Sequence, residues 1–187
     1  MIKNKQDLKD YICSDNHWLL GESTKDNLIS DFAKYPHRSI KKLLKYLRKQ
    51  EYYINTSRGG RLSWLKSIYY ERKKNKIGNS LGIEIPPNCF GKGLNVYHIG
   101  SIIINPNVRA GEGCSLHGAN CIGNNGLTED APRLGDRVDV GYGAVIIGDI
   151  EIADDVKIGA NAVVNKSVLE PGCTVAGVPA RIVKRNA

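Results

Sequence analysis

The sequence predicts a mainly β fold, a parallel β-helix over residues 81–187, preceded by an α-helical N-terminal region over residues 1–80. Three observations carry this. A six-residue hydrophobic repeat runs through the second half. Helical periodicity occupies the first half. The charge also changes sign near residue 80, from a net +10 over residues 1–80 to −2 beyond, making up the chain's +8.

In the first half, Ile40, Leu43, Leu44 and Leu47 fall at i, i+3, i+4 and i+7 behind a candidate N-cap at Ser39. Lys41, Lys42, Lys45, Arg48 and Lys49 form the polar side of that segment. Leu65, Ile68 and Tyr69 repeat the pattern before Arg72-Lys73-Lys74, and Leu28 and Phe32 predict an earlier helix. Ser57-Arg58-Gly59-Gly60 breaks the chain between the last two helices. Such short amphipathic helices bury little core alone, so they are expected to pack on each other, on the second half or on another subunit. Their basic character is either a solvated face or an attraction to an anionic surface or substrate, such as a phospholipid or a lipid-linked diphosphate sugar. No nucleic-acid-binding pattern accompanies the charge, so no nucleic-acid partner is expected.

The second half is read by counting in sixes. Leu134, Val140, Ile146, Ile152, Ile158 and Val164 are all aliphatic. Ile, Leu and Val make up about a quarter of the chain, so six of six arises by chance about once in 4,000 trials in a given register. The residue after each is often small, as at Gly135, Gly141, Ala153 and Gly159. Upstream, Ile104, Ala110, Leu116 and Ile122 keep the period. A period of six fits no amphipathic helix. It fits a coil in which each hexad makes one short strand and one corner, three hexads closing a turn.

Two departures from the repeat mark where chemistry is expected. Val96 and Ile104 are eight apart, which bulges a corner at Tyr97-His98-Ile99-Gly100-Ser101. The stretch from Gly123 to Pro132 is an insertion containing the turn-forming Asn124-Asn125-Gly126. Long loops on a rigid scaffold usually serve a site. An imidazole such as that of His98 suits proton abstraction near neutral pH.

The repeat, the bulged Tyr97-His98-Ile99-Gly100 and the closing Ala176-Gly177-Val178-Pro179-Ala180-Arg181-Ile182-Val183 resemble the hexapeptide-repeat acyltransferases. Within them, serine acetyltransferases and surface-polysaccharide O-acetyltransferases place helices before the β-helix in the same way. The resemblance implies a left-handed β-helix, acetyl-CoA as co-substrate and no metal. It implies a homotrimer with active sites between subunits, and leaves open a pairing of trimers through the helices. It assigns His98 as the catalytic base and Glu84 as its carboxylate partner. Tyr97, beside His98, is expected in the acceptor pocket, and His117, at nearly the same corner of the next coil, either lines that pocket or is simply exposed. Gly123, Asn124, Tyr142, Gly143, Ala144, Lys157, Ala160, Arg181 and Lys184 fall along the CoA channel, the cations meeting phosphates. A zinc site at His98 and His117 would need a third ligand, and the remaining histidines, His17 and His37, lie in the helical half.

The main functional expectation is therefore an O-acetyltransferase acting on a sugar hydroxyl in surface-polysaccharide synthesis. The alternatives are serine O-acetyltransferase and a non-catalytic β-helical scaffold. Serine acetyltransferases carry an Asp where this chain has Tyr97, and Arg-His where it has Asp130-Ala131 before Pro132. Selective binding of a small zwitterion calls for such charged grips. The N-terminus carries no secretory signal and no apolar run reaches the roughly 18 residues of a membrane span, which predicts a cytoplasmic protein, with peripheral contact at the inner membrane face as an option. Cys13, Cys89, Cys114, Cys121 and Cys173 show no paired spacing and are expected to be reduced.

Overall fold

A computed structural model describes residues 1–16, 32–33, 35–56 and 60–185. The described helices are α1 (Lys5–Ser14), α2 (Pro36–Thr56) and α3 (Arg61–Leu81). Asn4 caps α1 by accepting from the Asp7 amide at 2.9 Å. Helix α2 starts earlier than the sequence suggested. Proline at its first position needs no amide donor, so Ser39 lies in the first turn and does not cap it. Helix α3 stops at Gly82, whose φ of 69° supplies the left-handed residue after the last turn. The helix expected around Leu28, the break at Ser57–Gly59 and His17 lie outside the described residues. Phe32 is described and is almost fully exposed.

The remainder is a left-handed parallel β-helix of fourteen short strands, with its strands stacked in three sheets. The first sheet holds β1 (Ile83–Glu84), β3 (Ile102–Ile104), β6 (Cys121–Gly123), β9 (Val145–Ile147) and β12 (Val163–Val164). The second holds β4 (Arg109–Ala110), β7 (Arg133–Leu134) and β10 (Glu151–Ile152). The third holds β2 (Asn95–Val96), β5 (Ser115–Leu116), β8 (Asp139–Val140), β11 (Lys157–Ile158), β13 (Thr174–Gly177) and β14 (Ala180–Lys184). Val140 pairs with Ile158 and Ile146 with Val164, so each regular coil takes 18 residues. The bulge and the insertion appear as longer steps, Val96 to Leu116 and Leu116 to Val140. Strand β14 breaks the pattern by folding back antiparallel on β13.

All six aliphatic residues of the hexad series point inward and are buried. They stack with Val96, Ile104, Leu116 and Ile122 into one continuous apolar core. One corner needs the left-handed backbone in every coil. Gly113 supplies it at φ 71°, whereas Arg137 (54°) and Asp155 (59°) adopt it at a cost and are joined by a two-bond ion pair of 2.6 and 2.8 Å. The described cysteines form no disulfide. Burial pushes the Cys89 thiol up to about 11 and that of Cys114 up to about 12, so both stay protonated near neutral pH.

The helices close over the first coils. Ile40, Leu43, Leu44 and Leu47 join the same core. Gly78 of α3 lies so close to β1 that a Cβ there would fall 2.5 Å from the Ile83 carbonyl oxygen. Arg48, placed by the sequence on the polar side of α2, is instead fully buried. Its guanidinium donates to Asp15 Oδ2 at 2.7 Å, to Glu51 Oε2 at 2.9 Å, and to the Phe90 and Gly91 carbonyls at 2.9 and 2.6 Å. A planar five-donor group can satisfy two carboxylates and two carbonyls at once, which is why burial is tolerated. Burial disfavours the guanidinium charge, but the Glu51 and Asp15 carboxylates more than offset it and hold its pKa above the usual range. Leu65, Ile68 and Tyr69 do not pack on the β-helix and are exposed in the single chain together with Leu62 and Trp64, because Gly78 and Lys74 sit on the face of α3 turned to the β-helix.

Candidate active site

The third sheet sets the geometry of the site. Val96, Leu116, Val140, Ile158 and Val175 are register partners on consecutive coils. The residues after them therefore form a column along one edge. Backbone bonds confirm it: Tyr97 N to Leu116 O (3.0 Å), His117 N to Val140 O (3.1 Å), Gly141 N to Ile158 O (2.8 Å) and Gly159 N to Val175 O (2.8 Å). One residue further on, His98, Gly118, Tyr142 and Ala160 follow around the corner. Gly118, at φ 112°, keeps the corner open. A Cβ there would lie 3.3 Å from His98 Cβ and 3.2 Å from Tyr142 Cε2. His98 and Tyr142 thus flank a gap lined by glycine, and both are exposed.

Beside that gap, His117 Nε2 and Asp139 Oδ1 lie 2.7 Å apart, both side chains roughly two-fifths exposed. The Tyr97 ring leans on the His117 ring, with centroids 4.7 Å apart and planes tilted by 32°. Asp139 was not singled out from the sequence. It precedes inward Val140, so it points outward, one coil beyond His117. Counting coils with the insertion included would have placed it there.

Glu84 lies elsewhere than beside His98. It is in β1, in register with Ile103 on the first sheet, and makes no hydrogen bond to the His98 ring. The carboxylate-bound imidazole of this corner is that of His117.

The residues assigned to the CoA channel fall in three places. Tyr142, Gly143, Ala144 and Ala160 share the corner of His98. Lys157, Thr174 and Lys184 are register neighbours across β11, β13 and β14, and Arg181 pairs with Ala176 in the same hairpin, so Lys157, Arg181 and Lys184 gather at the far end of this sheet. Arg185 is taken up by Glu170 at 3.0 Å. Gly123 and Asn124 stand apart at the far end of β6, where Asn124 Nδ2 donates to the Thr128 carbonyl at 2.8 Å within the inserted loop. Asp130 and Ala131 line an open polar cleft there with Asn107, Arg109 and Arg133. Among the described residues, no group of three or more His, Cys, Asp or Glu side chains is placed to hold a metal ion.

Comparison with solved structures matches this architecture to a soybean serine acetyltransferase, with TM-score 0.71 at 22% identity, over 96% of this chain and 70% of that one. A serine acetyltransferase of Brucella abortus in complex with coenzyme A matches with TM-score 0.69 at 21% identity, over 97% of this chain and 68% of that one. The chain has the fold of the serine acetyltransferases. In sequence it is similar to a serine acetyltransferase of Helicobacter pylori, 38% identical over 108 residues that cover 56% of this chain and 63% of that protein. It is 33% identical over the same length to one of Mycobacterium tuberculosis, covering 47% of that protein. The matched stretch thus spans roughly half to two-thirds of these relatives. No family model matches the chain.

Proposed function

We propose that the protein is an acetyl-CoA-dependent O-acetyltransferase, with His98 as the base. The observation that carries this is an exposed imidazole at a glycine-lined corner of the third sheet, the sheet that carries exposed Lys157, Arg181 and Lys184 on its later strands. In the reaction, His98 takes the proton of the acceptor hydroxyl as its oxygen attacks the thioester carbonyl. The tetrahedral intermediate collapses, the C–S bond breaks, and the departing thiolate takes the proton back from the imidazolium. The extended pantetheine amide chain suits the backbone groups at the corner, and the three cations suit the phosphates.

Two acceptors are in contention. On the comparisons alone L-serine has the stronger support, since the similar proteins are serine acetyltransferases. The residues around His98 favour a sugar hydroxyl instead, because Tyr97 and Asp130-Ala131 stand where charged grips for a zwitterion are expected. A trimer is supported by the outer face of the first sheet, where Ile103, Cys121, Val145 and Val163 form an apolar column, against charged Arg109, Arg133 and Glu151 on the second. No described helix is long and apolar enough to cross a membrane. Leu62, Trp64 and Leu65, exposed among Arg61, Lys66, Arg72 and Lys73, support contact with an anionic membrane surface at the cytoplasmic face.

The test is transfer of labelled acetyl from acetyl-CoA to L-serine and to a panel of methyl glycosides, followed by mass spectrometry. His98→Ala is expected to lower turnover by on the order of 10²–10⁴ with the fold intact by circular dichroism. Turnover close to wild type in that variant removes His98 from the mechanism.

A further inference from the structure

We propose that Tyr97, His117 and Asp139 form a subsite for a neutral polyhydroxyl acceptor, in which a hydroxyl next to the one acetylated donates to His117 Nδ1. The inference rests on the acyl-transfer reading of His98 and develops the sugar acceptor.

A carboxylate can only accept a hydrogen bond, so in the neutral ring the proton sits on Nε2, facing Asp139 Oδ1 at 2.7 Å. Nδ1 then carries a lone pair, and no described residue bonds to it. The Tyr97 ring, 4.7 Å away and tilted 32°, restricts rotation of the imidazole and holds that lone pair in one direction. A fixed acceptor on a partly exposed ring is what a hydroxyl donor requires.

Its surroundings define the rest of the ligand. Tyr97 is aligned with His117 on the next coil, and His98 with Gly118, so the two imidazoles belong to the same corner, one coil and one residue apart. An acceptor that places one hydroxyl at His98 can offer a second, on a neighbouring carbon, to His117. Tyr142, half exposed across the Gly118 gap, offers an aromatic face to the C–H side of a sugar ring. The Asp139 charge is engaged by His117, and Lys157 is its register neighbour on the next coil. An ammonium group arriving here would have to displace the imidazole, and a carboxylate would meet Asp139. A neutral acceptor meets neither obstacle.

Saturation-transfer NMR would measure binding of methyl hexopyranosides and of L-serine, and initial rates would compare the same glycosides with 1-propanol, which has a single hydroxyl. The variants are His117→Phe, which keeps an aromatic ring against Tyr97, His117→Gln in case the first does not fold, and Asp139→Asn as the positioning change. Wild type should bind at least one glycoside. His117→Phe should weaken that binding and raise its KM about tenfold, with a smaller change in kcat, the size of one lost hydrogen bond. The preference for glycoside over 1-propanol should fall by a similar factor, and Asp139→Asn should give a smaller change in the same direction. Unchanged glycoside binding in the His117 variants overturns the subsite, as does wild type that binds L-serine and no glycoside. Binding that depends on His117 in a protein without acetyl transfer keeps the subsite and removes the acetyltransferase reading.

Discussion

The helical part shares the apolar core of the β-helix but adds to it a buried ionic network that the β-helix interior lacks. Inside the β-helix the core is a column of Ile, Leu and Val, and its buried polar side chains are the neutral Asn95 and Asn120. Every described buried charge, Asp15, Arg48, Glu51 and Lys74, belongs to the helical part. Arg48 is bonded to both carboxylates, and each carboxylate in turn reaches the first coils. Asp15 Oδ1 accepts from the Gly93 and Leu94 amides at 3.1 and 3.0 Å, and Glu51 Oε1 accepts from the Asn88 amide at 2.8 Å. A hydrophobic contact is nondirectional and can slide. This network fixes one docking pose, at the cost of keeping ions away from water.

The difference can be broken most severely at Arg48. Arg48→Ala leaves two buried carboxylates unpaired and should cost about 3–5 kcal/mol in urea unfolding. Arg48→Lys should rescue little, because one ammonium cannot reach both carboxylates and two carbonyls. Replacing the triad by Leu and Met of similar volume is near neutral in some proteins. Here it should remain destabilising, because the Gly93, Leu94 and Asn88 amides would lose their acceptors.

A change of intermediate size sharpens the other side. Ile158→Val in the β-helix core removes one methylene and should cost about 0.5–1.5 kcal/mol by the same unfolding measurement. A larger loss would mean that this core is as position-specific as the ionic joint.

The smallest effect should come from the exposed Arg137–Asp155 pair at the left-handed corner. The Arg137 hydrogen bonds, and its charge against slight desolvation, hold the Asp155 carboxyl below its ordinary value. Its contribution is therefore complete above the unfolded carboxylate value of about 4 and disappears as pH falls through the lower folded value. Asp155→Asn should flatten that acid limb of the urea midpoint, and salt should shrink the difference between the two proteins. A salt-independent loss would show that the pair holds the corner backbone and adds little as a charge pair.

The same contrast explains what could be read before the structure. Period six is a local arithmetic of inward positions, so Leu134 through Val164 declared the coil without knowledge of any contact. Helix α2 was equally legible from Ile40, Leu43, Leu44 and Leu47. Arg48 was not. One turn of helix cannot tell a solvated arginine from one whose partners arrive from residues 15 and 90, because that depends on how distant segments dock. Helix α1 had a local cue in Asn4 and Asp7 that went unused. At the site, His98 stood out as a rare residue at a departure from the repeat, and His117 as a second histidine at nearly the same corner one coil on. Asp139 did not, since an aspartate on an outward position looks like any solvated one until coil counting sets it beside His117.

The backward fold of β14 on β13 has a consequence for assembly. A parallel coil presents unpaired strand edges at its end, where a second coil arriving end on could continue the ladder and start a filament. Here the last strand of the third sheet runs antiparallel and carries Arg181 and Lys184. An incoming coil would meet a strand running the wrong way and bearing like charges. The hairpin thus acts as a terminator of growth on that sheet.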